Sequence, residues 1–170
     1  MADDSYEHKL ARELDNIEER AEFAFQGHIE QAKRWGRGHT YVGLPAAVVT
    51  AASATFEIAR TSQHDWSAVV TVIAAGFTAA FLFLDPQGRA SRHVHAAELF
   101  RQVATGARQT RSIDLGVDTS ERVRGRLANL TDKFDVAASA CGPYGKHAYQ
   151  QAKKNIESGG QLARPFADGA

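Results

Sequence analysis

Two stretches of this chain, each nineteen residues long, contain no Lys, Arg, Asp or Glu. The first lies between Arg37 and Glu57, the second covers residues 66–84, and residues 57–65 are all that separates them. A helix rises about 1.5 Å per residue, so each run spans roughly 28 Å as a helix. The hydrocarbon core of a bilayer is about 30 Å thick. A helix that is apolar on every side must be wrapped, either by protein or by lipid. The remaining segments of this chain carry only narrow apolar faces, too little to wrap two such helices. The pattern therefore predicts a transmembrane hairpin, helix 1 over residues 41–60 and helix 2 over residues 66–84. Tyr41, Trp66, Phe81 and Phe83 fall near the span ends, where interfacial aromatic rings sit. Asp65 suits the N-cap of the second span, and Asp85-Pro86 ends it.

The flanks read as polar helices. Residues 4–36 form one long cytoplasmic helix, with Gly27 as its only internal glycine. Leu10, Leu14, Ile17, Ala21 and Ala24 recur at four-three spacing and make a narrow apolar seam. Residues 87–158 are read as further cytoplasmic helices. The first has Val94, Ala97 and Phe100 on one side, with Leu99 and Val103 beside them. The second, from about residue 119 to 140, has Val123, Leu127, Leu130, Phe134 and Ala137 at helical spacing. "CGPYG" breaks it, and a last helix over about 146–158 precedes a flexible tail, 159–170. No strand pattern and no internal repeat occurs. The expectation is an all-α membrane protein of a single domain, 1–170, with a two-helix transmembrane hairpin and a cytoplasmic helical bundle.

Charge sets orientation and narrows the partners. Twenty basic and twenty acidic residues balance to zero, which argues against a nucleic-acid partner, since that grip needs a basic surplus. Lys33, Arg34 and Arg37 precede the first span and Arg89, Arg92 and Arg101 follow the second, while Arg60 alone lies at the turn. The positive-inside rule then places both termini in the cytoplasm of a cell with an inner (plasma) membrane. The acidic, polar N-terminus has no signal-peptide character. Cys141 is the only cysteine, so no internal disulfide is available, and a free thiol suits a reducing compartment.

Within the spans, Thr71, Ala75 and Ala79 recur every fourth residue and Gly76 pairs with Ala80, a small-residue face that lets helices approach closely. The face serves either an oligomeric channel or packing between the two spans of one chain. Thr50, Ser53, Thr55, Thr71 and Thr78 are candidates for lining a water path, although such hydroxyls commonly bond back to their own helix. Glu57 either tunes ion entry or pairs with Arg60 at the interface. In "RHVHAAELF", His93 and His95 are two residues apart on different helix faces, a poor metal geometry, and the other histidines are scattered. No metal site and no cofactor is expected. Nor is there a phosphate loop, a nucleophile elbow or a carboxylate pair, so the chain is not expected to be an enzyme.

The order of parts, a cytoplasmic helix, a two-span hairpin, then a helix with "RHVHAAELF" and a final "AYQQAKKNI", resembles the SLATT family of small bacterial two-span proteins linked to nucleotide signalling and conflict systems. The resemblance covers roughly residues 10–158. It implies a pore-forming or membrane-perturbing effector of bacterial defence, a homo-oligomer in the lipid bilayer. Its trigger would be an upstream sensor or a protein that produces a nucleotide signal. Two other readings stand beside it: a passive membrane anchor or scaffold that recruits cytoplasmic partners, and a soluble all-α bundle.

Overall fold

The computed structural model describes residues 2–43, 45, 47, 48, 51 and 66–159. Among these residues the regular secondary structure is all helical, with no strand. Helix α1 (Ala2–Gly38) runs two residues beyond the expected bounds at each end and closes in a π-helical turn, His39–Gly43. Helix α2 is Trp66–Leu84, with the bounds expected for the second uncharged run. Helix α3 is Pro86–Gln109 and closes in a π-helical turn, Thr110–Asp114. Helices α4 (Ser120–Ala140) and α5 (Lys146–Glu157) follow. The first predicted span lies almost wholly outside the described residues, and so does the tail, apart from Gly159. Contacts divide the chain into two units, Met1–Gln31 with Arg92–Ala170, and Ala32–Ser91.

The core of the first unit is the seam of α1. Leu10, Leu14, Ile17, Ala21 and Ala24 are all buried, Leu14 and Ala21 completely. Leu10 to Ala21 cluster with Val103, Ala104 and Ala107 of α3 and with Val123 and Leu130 of α4. Ala24 clusters with Phe100 and Ala137. Gly106 lets α3 approach α4: a Cβ there would stand 2.8 Å from Leu130 Cδ2. One expected core residue is misplaced. Val94 is 50% exposed, because the buried stripe of α3 is His93, Ala96, Ala97, Phe100, Val103, Ala104 and Ala107. That stripe steps by three and four residues from His93 and leaves Val94 outside.

Ion pairs fix how α1 and α3 run past each other. Glu18, buried on α1, accepts hydrogen bonds from Arg108 Nε at 2.8 Å and from an Arg111 terminal nitrogen at 3.0 Å. Arg111 also reaches Asp15 at 2.7 Å. Residue 18 thus faces residues 108 and 111, while residue 28 faces residue 93, so the two helices are antiparallel. On the next turn of chain, Arg126 pairs with Asp114 and, at 2.8 Å, with Asp118, holding the loop before α4.

In the second unit, α2 gives way to α3 through one residue. Asp85 takes φ 40°, left-handed backbone that Asp tolerates better than most residues. Its carboxylate accepts the Gly88 N–H at 2.9 Å, so Asp85 caps α3. A Cβ at residue 88 would fall on that carboxylate, so a larger residue there would displace the Asp85 side chain from its cap. Gly43 is likewise covered by the Phe81 ring, 2.6 Å from where a Cβ would stand. The all-α part of the expected fold is present, but among the described residues no helix is long and apolar enough to cross a membrane, so the expected transmembrane hairpin finds no support in them.

These packing assignments make a direct contrast. Leu14→Ala empties a fully buried site and lowers the unfolding free energy by about 2–5 kcal/mol. Val94→Ala, at a half-exposed site, changes it by less than about 0.5 kcal/mol. Chemical denaturation followed by circular dichroism reads both.

Candidate metal centre

Beyond Ala24 the interior face of α1 turns polar. Gln26, His28, Glu30 and Gln31 are all buried. They are covered because the chain after α4 folds back over them. Gly27 permits it: a Cβ there would lie 2.6 Å from the Tyr144 ring. Tyr144 sets its edge against the His28 ring, centroids 5.1 Å apart, and Phe100 stacks on that ring at 5.4 Å. The Gly145 N–H donates to Gln31 Oε1 at 3.2 Å, and Asn155 Nδ2 of α5 donates to Glu30 Oε1 at 3.1 Å. Ala148 and Ala152 provide the small buried face that lets α5 lie close.

This closure brings together three residues that are far apart in sequence. His28 comes from α1, His93 from the first turns of α3, and Cys141 is the residue that ends α4 in extended backbone. His28 Nδ1 lies 3.0 Å from His93 Nδ1, and Cys141 Sγ lies 3.3 Å from the same His93 Nδ1. One ligand atom of each residue lies within 4.8 Å of the others. Both histidines are buried and Cys141 is partly exposed.

The surroundings keep all three groups neutral. Burial, aided by the neighbouring His93, holds His28 down from 6.5 to about 4. Burial and then the Arg92 charge hold His93 below its ordinary value. Burial pushes the Cys141 thiol up, against smaller opposing effects of Arg92 and the Gly142 backbone. Tyr144 is also raised, by burial first and Tyr149 second. Two unprotonated imidazoles and a thiol that must shed its proton are a borderline-soft donor set, with no carboxylate among them.

The residues singled out in the sequence lie elsewhere. Thr50, Ser53, Thr55 and Glu57 fall outside the described residues. Thr71 is in α2, but its side chain lies outside the description. Ala75, Gly76, Thr78 and Ala79 are exposed on α2. Thr78 Oγ1 donates to its own helix at the Ala74 carbonyl, 2.9 Å away. His95 is exposed, and Glu98, three residues on, pairs with Arg101 at 2.6 Å. Sequence spacing missed the His28, His93 and Cys141 group because it looked for ligands along one helix. A usable signal was present. The α1 seam carried one step past Ala24 reaches His28, and the α4 stripe carried one step past Ala137 reaches Cys141.

Neutral, buried His28 gives metal-free protein a defined pH response. Its folded pKa lies below the unfolded value, so the unfolded chain binds more protons between about 4 and 6.5. The stability this group contributes is complete above pH 6.5 and is lost as pH falls toward 4, by at most about 3 kcal/mol. In chelator-treated protein, thermal melts should fall across that window, and His28→Gln should flatten the fall. No protein-family model, curated protein or solved structure matches this chain.

Proposed function

We propose that the chain is a membrane effector whose α2, paired with the uncharged run before it, enters a bacterial inner membrane while the first unit stays in the cytoplasm. One observation carries this reading, the exposed apolar surface of α2. Val69, Val72, Ile73, Phe77, Phe83 and Leu84 are all exposed, Val72 by 71% and Phe83 by 88%. At 100° per residue they fall within an arc of about 140° of the helix circumference, and Ala74, just beyond that arc, is buried. Each such side chain forgoes about 1.5–3 kcal/mol when left in water. The full helix has nineteen residues and no charge, and this uncharged run is what motivates the membrane reading. Lipid is the cover that this surface fits.

The small-residue face supports self-association within the bilayer. At Gly76, nothing among the described residues comes within 4 Å of an added Cβ, which suits the close approach of another helix, from this chain or a second copy. In lipid, small residues let helix backbones pack closely where no hydrophobic drive exists. Oligomers formed this way, shifted by a sensor or a nucleotide-signal-producing partner as the SLATT resemblance implies, would perturb or perforate the membrane. No catalysis, cofactor or nucleic acid enters this function. A passive anchor is the second reading, and Thr78 favours it, because its hydroxyl is committed to the Ala74 carbonyl.

Dye release from liposomes that carry the purified protein tests the effector reading. Ala75→Leu with Gly76→Leu should cut release at least roughly tenfold, the effect of losing about 1.4 kcal/mol of helix association. The variant should still sediment with membranes. Membrane retention without release from the unaltered protein and its activating partner would leave the anchor. Recovery in the supernatant without detergent would defeat both membrane readings and leave the soluble bundle.

A further inference from the structure

We propose that His28, His93 and Cys141 bind a borderline-soft transition-metal ion of the Zn²⁺ class through two imidazole nitrogens and one thiolate, with a fourth position left for water. The inference concerns the first unit alone and does not depend on the membrane reading.

The argument starts from core layers. Helices α1, α3 and α4 each present one interior stripe at three-four spacing. The stripes are Leu10, Leu14, Ile17, Ala21, Ala24 on α1, His93 to Ala107 on α3, and Val123 to Ala137 on α4. At the end where α1 leaves the unit, the next interior positions are His28, His93 and Cys141. An apolar layer there would need Leu or Val. Three metal-ligating residues fill it instead, one from each stripe.

Protons alone satisfy this layer poorly. His93 Nδ1 is within 3.0 Å of His28 Nδ1 and 3.3 Å of Cys141 Sγ. A neutral ring nitrogen offers either one N–H or one lone pair. It can make one well-aligned hydrogen bond, not two. A cation between the three atoms uses one lone pair from each. Bonds of about 2.0–2.1 Å to nitrogen and 2.3 Å to sulfur put tetrahedral ligand atoms roughly 3.3 Å apart for N···N and 3.6 Å for N···S. The two contacts to His93 are a few tenths of an ångström tighter than that and all three ligand atoms lie within 4.8 Å of one another, so His93 must shift outward to admit the ion.

The donor set selects the metal. A thiolate with two imidazoles suits Zn²⁺ and excludes the oxygen-seeking Mg²⁺ and Ca²⁺. Cys141, partly exposed, provides the route in. The Arg92 charge nearby opposes a cation but favours the thiolate that binds it, as its pull on the Cys141 thiol indicates. Tyr144, Phe100 and the Gly145–Gln31 bond fix the His28 side of the site. Bound metal would tie α1, α3 and the end of α4 together at the start of the 141–145 connection.

The test uses the full purified chain, stripped with a chelator and titrated with Zn²⁺ and with Co²⁺. One ion per chain is expected, together with a thiolate-to-cobalt charge-transfer band and the intense visible bands of tetrahedral Co²⁺. Cys141→Ser should abolish the charge-transfer band. It should weaken Zn²⁺ binding at least roughly hundredfold, since even residues behind the ligands cost ten- to hundredfold. His28→Gln should weaken it similarly, and His95→Gln should leave it unchanged. Should a variant fail to fold by circular dichroism, alkylation of Cys141 in the unaltered chain decides the matter, because Zn²⁺ should slow it at least roughly tenfold. Substoichiometric binding, binding unchanged in Cys141→Ser, or alkylation unaffected by Zn²⁺ would overturn the proposal.

Discussion

The burial of one seam on α1 organises the first unit. Leu10 to Ala24 is narrow, and a narrow seam cannot make a core unless other helices bring matching stripes to it. Helices α3 and α4 do so, with Ala, Val and Leu that fit against it at short range. Alanine dominates the α3 stripe, so the helices pack closely. Removal of this apolar surface from water is the main favourable term. The Glu18 bridge to Arg108 and Arg111 adds register more than energy, since pairs with one partner at the surface contribute little.

Close packing at the seam has a consequence at its far end. Once α1, α3 and α4 are aligned antiparallel and parallel in turn, the positions next in each stripe must converge. Those positions are His28, His93 and Cys141. Their neutrality follows from the same burial that builds the core, because charged imidazole or thiolate is poorly solvated there. Gly27 and Tyr144 complete the enclosure, one by lacking a side chain and the other by supplying a ring.

The second unit follows a different logic. Its helix α2 leaves Val72, Phe77 and Phe83 uncovered, whereas the first unit buries the seam of α1 against the stripes of α3 and α4. A short apolar helix with no polar stripe has no side to give to water. Asp85 and Gly88 show that its boundary is a built feature: a capped, left-handed single-residue joint sets α3 going immediately. The contrast between the two units, one with an interior and one with an apolar exterior, is the physical basis of the proposed division of labour between a cytoplasmic bundle and a membrane segment.

Helix α2 was legible residue for residue, because an uncharged run bounded in sequence by Asp65 and by Asp85-Pro86 has little choice of limits. The α1 seam and the stripe of α4 were legible because three-four periodicity is a local property. Val94 shows where periodicity falls short: adjacent residues on a helix differ by about 100°, and the sequence alone did not say which of His93 and Val94 faced inward. Hydropathy favoured Val94, and the tertiary structure chose His93. The sequence by itself determined the helices, their apolar faces and the uncharged α2. Only the tertiary structure decided that His28, His93 and Cys141 meet, since residues 65 and 48 positions apart are joined by how helices pack and not by any spacing along the chain.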